Sequence, residues 1–129
     1  MKKFVLSLLF CLLLTQTSAA EDTKQYYIQI PNKSLKVLAY GDVEVPESMG
    51  FGRTYQVMYE TKTPISNKAE LEKEVRQVLA SVSSRLPSDY KTIYVQAEEP
   101  YTGNMVLGKN GVDFRFGKVN GEWELQMSN

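Results

Sequence analysis

Apolar and polar positions along this chain follow three rhythms, and each predicts a different kind of segment. Phe4 to Leu14 is apolar throughout except at Ser7, with Lys2-Lys3 before it and Ser18-Ala19-Ala20 after it. From Tyr26 onward the dominant rhythm is a period of two, the mark of half-buried strands. Between Lys68 and Leu86 the period lengthens to that of a helix, with Leu71, Val75, Val78, Leu79, Val82 and Leu86 forming one apolar stripe.

The strand-like stretches can be placed in order. Tyr26, Ile28 and Ile30 alternate with Tyr27 and Gln29, and Pro31-Asn32-Lys33-Ser34 is a turn cluster. Leu35 to Val45 is extended, with Leu35, Val37 and Ala39 on one face and a bend or bulge expected at Gly41-Asp42. Arg53 to Glu60 alternates Tyr55, Val57 and Tyr59 against Gln56 and Met58. Lys91 to Glu98 places Ile93, Val95 and Ala97 inward and Tyr94 and Gln96 outward. Met105 to Lys109 predicts a further short strand. Asn110-Gly111 and Asn120-Gly121 predict tight hairpin turns, since both central positions of such turns need positive φ. Val112, Phe114 and Phe116, then Trp123, Leu125 and Met127, supply the last two strands.

The helix has its own boundaries. Asn67 followed by Glu70 has capping-box spacing, with Asn in place of the usual Ser or Thr. Glu72 and Arg76 form an i,i+4 pair on the wet side, and Pro87 ends the segment. The predicted order is therefore β-β-β-α-β-β-β-β. With short connections this implies an α+β two-layer sandwich, a mostly antiparallel sheet with one long amphipathic helix across one face. The opposite face is expected to present Tyr27, Tyr94, Gln96, Arg115 and Glu124.

The N-terminal run changes how the composition is read. A basic start, an apolar stretch about half the length of a membrane span and a small-residue end are the parts of a secretory signal peptide. Residues 1–20 are expected to be removed near Ala20, leaving 21–129 as one small domain with no stable membrane anchor, periplasmic or secreted. Glu21 to Gln25 would be a lead-in. Cys11 is the chain's one cysteine, and a large Phe10 precedes it where lipoprotein processing requires a small residue. The whole chain balances 15 basic against 15 acidic residues; without Lys2 and Lys3 the balance becomes 13 to 15, a formal charge of −2. That gives no electrostatic basis for holding nucleic acid.

The chain contains no histidine. Ser-His-Asp and Cys-His catalysis are excluded, as are zinc sites built on His or Cys. Gly50 and Gly52 lack phosphate-loop spacing. Carboxylate pairs remain, Glu98 with Glu99 and Glu122 with Glu124, but any acidic surface offers such pairs. The chain is expected to be non-catalytic and to need no cofactor or metal.

Two features point toward binding. Tyrosine combines large contact area with a polar tip; Tyr27 and Tyr94 are expected on the outward face, and Tyr101 sits in the loop Glu98 to Gly103. Met49-Gly50-Phe51-Gly52-Arg53 sets two large apolar side chains and an arginine in a glycine-flanked loop, a composition typical of interface anchors. Its structural alternative is that Phe51 folds back to plug the end of the core, with the glycines allowing the turn. The expected function is an exported binding protein of the bacterial cell envelope, an inhibitor, immunity-type protein or adaptor. Met49, Phe51, Arg53, Tyr27, Tyr94 and Tyr101 would be its contacts and another protein its partner. The alternatives are a periplasmic small-ligand binder, with Phe114, Phe116 and Trp123 lining a pocket, and a carboxylate-based hydrolase. No motif is specific enough to name a family.

Overall fold

The computed structural model describes residues 26–100 and 110–129. The apolar N-terminal run, Glu21 to Gln25, Tyr101 and the strand expected over Met105–Lys109 lie outside the described residues. Within them are strands β1 (Tyr26–Ile30), β2 (Lys33–Val43), β3 (Arg53–Glu60), β4 (Tyr90–Glu98), β5 (Gly111–Val119) and β6 (Glu122–Ser128), and helix α1 (Lys68–Ser83). A single turn of 3-10 helix, Glu47–Met49, interrupts the loop between β2 and β3.

All six strands lie in one sheet in chain order, β1-β2-β3-β4-β5-β6. This mixed sheet with one helix corrects the expected β-β-β-α-β-β-β-β sandwich. Three strands, not four, follow the helix among the described residues, and β3 pairs with β4 in parallel. The reason is the reach of the helix. Sixteen helical residues span about 24 Å, close to the roughly 26 Å of an eight-residue strand. The chain leaves the end of β3, travels back along its whole length and enters β4 from the starting end. A crossover of this kind makes the next strand parallel.

Local sequence accounts for the individual elements. Pro31 fixes its own φ and Asn32 takes φ 68°, the combination a type II turn requires, and it closes β1 on β2. Asn120 and Gly121 take φ 53° and 83° and close β5 on β6 as a tight hairpin. Asn110-Gly111 is not such a turn: Gly111 is the first residue of β5 and pairs with Glu98. A side chain there would collide with the Glu98 carboxylate. The Asn67 side-chain Oδ1 accepts from the Glu70 N–H at 3.5 Å, capping α1, and Glu72 bonds Arg76 at 2.8 Å.

The core lies between α1 and one sheet face. Leu71, Val75, Val78 and Leu79 of the helix join Ile28, Ile30, Leu35, Val57, Tyr59, Ile93, Val95, Ala97, Val112, Phe114 and Phe116. Burying each large side chain contributes about 1.5–3 kcal/mol. One irregularity rearranges the second strand. The register against β3 shifts between Val37 and Ala39, so Leu38 is an extra residue and the alternation reverses after it. Tyr40 and Asp42, not Ala39, then share the helix-side face with their partners Val57 and Tyr55.

Candidate functional site

The predicted loop Met49 to Arg53 is divided by the sheet. Arg53 is the first residue of β3 and, by alternation with Tyr55, Val57 and Tyr59, projects toward the helix side. There its Nη1 donates to both carboxylate oxygens of Asp89 at 2.9 and 3.0 Å. Its Nε and Nη2 donate to Asp42 Oδ2, each at 3.3 Å. The guanidinium also lies 4.0 Å from the centre of the Tyr90 ring. Burial opposes its charge, but the Asp89 bond, Tyr90 and Asp42 outweigh it and hold the guanidinium protonated beyond its ordinary range. The Tyr90 hydroxyl donates to Asp42 Oδ1, and its ring meets Tyr55 edge-on at 5.6 Å. Burial, then the Asp42 bond, raise the Tyr90 pKa well above the usual tyrosine value. Arg53 is thus held by neighbours of its own chain.

Phe51 lies on the opposite face. Gly50 and Gly52 take φ 75° and 70°, left-handed conformations that glycine adopts without strain. They turn the loop back over the starting ends of β3 and β4. The Phe51 carbonyl accepts from Thr92 Oγ1 at 2.6 Å, and the Gly52 carbonyl from Thr54 Oγ1 at 2.9 Å. These bonds satisfy two threonines that are buried on the side away from the helix. The Phe51 ring packs under the Arg115 guanidinium at 4.5 Å. It therefore covers the outer face of the sheet and leaves the core to other side chains.

Arg115 pairs in register with Tyr94, and Tyr94 with Gln56. One step along, Gln96 donates to its partner Asp113 at 3.0 Å. Phe51, Arg115, Tyr94, Gln96 and Asp113 thus form a continuous half-buried patch at the centre of the outer face. Among the described residues, Arg115 Nε is buried without a hydrogen-bond acceptor.

The other predicted contacts are dispersed. Tyr27 is exposed on the outer side of β1, three strands and about 14 Å across the sheet from β4. Met49 is exposed on the 3-10 turn. Tyr101 lies outside the described residues. Of the proposed pocket lining, Phe114 and Phe116 are core residues and Trp123 is partly buried against the core. The adjacent carboxylates Glu98 and Glu99 diverge: Glu98 lies over Gly111, whereas Glu99 accepts from the Ile65 N–H at 3.5 Å.

Sequence reasoning missed Glu74. It sits on α1 between Leu71 and Val78, inside the apolar stripe, and is 2 % exposed. Its Oε1 accepts from Tyr59 at 2.7 Å and from Thr61. Its Oε2 accepts from Lys33 at 2.9 Å and from Thr63 at 3.0 Å. Burial would push its pKa up, but the bonds from Thr61, Lys33, Tyr59 and Thr63 outweigh that and hold it below the ordinary carboxylate value. Tyr59 moves the opposite way: burial and its bond to Glu74 raise it far above the usual tyrosine range. The signal was a charged residue three places from Leu71 and four from Val78.

The chain matches no family model, no curated protein and no solved structure.

Proposed function

We propose that this chain is an exported protein-binding module of the bacterial cell envelope, acting as an inhibitor, immunity-type protein or adaptor. The carrying observation is that, among the described residues, the helix covers one face of the sheet and not the other. The described helix packs against one face, and the centre of the other presents Phe51, Arg115 and Tyr94 side by side. Tyr, Phe and Arg are the residue types most enriched at protein interfaces. On strands and a hydrogen-bonded loop they lose little further freedom on binding. The apolar N-terminal run, with its basic start and small-residue end, supports the exported setting.

The test is affinity capture from envelope extract with the tagged full-length chain as bait. Tyr94→Ala/Arg115→Ala is the test variant and Glu122→Gln the control. A partner retained by the control and reduced about tenfold or more with the double variant, a loss of some 1.4 kcal/mol or more, supports the reading. Equal recovery on all baits, or no specific partner, removes it. Circular dichroism melts of each bait establish that the comparison is between folded proteins.

A further inference from the structure

We propose that β1 is a self-association edge, pairing antiparallel with β1 of a second copy about a twofold axis through Ile28. The two ends of the sheet are built differently. β6 carries Glu122 and Glu124, and its register against β5 shifts between Arg115 and Phe116. Charge and irregularity are the usual protections against unwanted strand addition. β1 reads Tyr26-Tyr27-Ile28-Gln29-Ile30, without a charge, a proline or a bulge. Among the described residues no strand pairs with its outer edge.

Backbone geometry selects the register. Ile30 and Lys33 flank the two-residue turn, and the pairs Ile28 with Leu35 and Tyr26 with Val37 follow at intervals of two. In an antiparallel ladder those alternate residues direct their N–H and C=O groups at the partner strand. The groups of Tyr27 and Gln29 therefore point outward. A twofold axis through Ile28 sets Tyr27 of one copy opposite Gln29 of the other, on both sides of the axis. Both pairs can then exchange two hydrogen bonds. The same register lays Tyr26 against Ile30 of the second copy and extends the helix-side apolar row across the junction.

Side chains agree with the backbone. The large apolar residues exposed among the described residues are Tyr26, Tyr27, Leu38, Tyr40 and Met49, and four of the five lie on β1 and β2. Tyr26 and Tyr40 contact edge-on at 5.8 Å, so the exposed aromatics form one margin. With no charge on β1, self-pairing brings no like charges together. An isologous pairing of this kind closes at two copies and uses up both β1 edges.

Sedimentation velocity on protein expressed from the full-length gene and purified after export tests the proposal. The expected result is a concentration-dependent dimer. Tyr27→Lys/Gln29→Lys sets lysine opposite lysine and should weaken the dimer about tenfold or more, with little change in melting temperature. Mixing it with Tyr27→Glu/Gln29→Glu should restore the dimer, because each lysine then faces a glutamate. A wild-type monomer at all concentrations, a dimer indifferent to the lysine variant, or a mixture that stays monomeric would each overturn the proposal. Should a variant fail to fold, hydrogen exchange on the wild type decides. Slowing at the Tyr27 and Gln29 amides with rising concentration supports pairing through β1, and no concentration dependence refutes it.

Discussion

Glu74 occupies a position on α1 where the stripe of apolar side chains would otherwise run unbroken. A buried carboxylate is tolerable only when its oxygens are fully hydrogen-bonded, and here each oxygen has two donors. Those donors come from β3, from the segment after it and from the first residue of β2, so one side chain fixes three parts of the chain against the helix. Glu74→Gln replaces an acceptor oxygen with a donor NH₂ facing other donors. It should cost about 3 kcal/mol at neutral pH, read as a lower urea midpoint at constant slope. The pH dependence has a definite sign. The folded carboxyl titrates below its ordinary value of 4.5. Its contribution is therefore complete above that value and is lost as the pH falls through the lower folded value. Wild-type stability should decline on acidification below about pH 4.5, and the Gln variant should decline less steeply over that window.

Among the elements, the loop from Pro46 to Gly52 most directly links fold to proposed function, because its two left-handed glycines determine where Phe51 lies. Their surroundings differ. A Cβ at Gly50 would meet nothing within 4 Å, whereas one at Gly52 would sit 2.7 Å from Lys91 Cγ. Gly50→Ala should cost about 1 kcal/mol, the backbone penalty alone. Gly52→Ala adds a collision with the stem of Lys91 and should cost about 2 kcal/mol or more. Paired thermal melts check the order, and equal losses would contradict the packing described for this loop. α1 is the other decisive element, since its length rather than its sequence detail makes β3 and β4 parallel.

At the scale of the molecule, the helix packed on one face divides the sheet among the described residues into a core side and an outer side. The outer-face patch and the β1 margin are separate surfaces, so association through β1 leaves Phe51, Tyr94 and Arg115 available to another protein. Export is tested at this scale. Protein recovered from the envelope should have an intact mass corresponding to a chain that begins at Glu21, without Met1–Ala20. Retention of Met1–Ala20 would count against cleavage.

What the sequence determined by itself was local. The Asn67 cap, the Asn120-Gly121 turn, the helical stripe from Leu71 to Val82 and most of the strand alternation depend on residues within a few positions of one another and are found. The alternation fails after Leu38 and after Leu125, where bulges move Ala39 and Met127 off their expected faces, and Leu86 lies beyond the end of α1. Asn110-Gly111 had the same local signal, but Gly111 instead opens a strand opposite Glu98. The tertiary structure decided whatever joins distant segments. The extra residue at Leu38 swings Tyr40 and Asp42 to the helix side, and Asp42 then meets Tyr90, 48 positions away. Lys33 reaches Glu74 across 41 positions. Phe51 and Arg53, two residues apart, end on opposite faces because a strand begins between them, with Arg53 alternating on one side and the loop folding over the other. Periodicity records which side chains share a face, but not which distant face it meets. That depends on strand order, on bulges and on the length of the crossover.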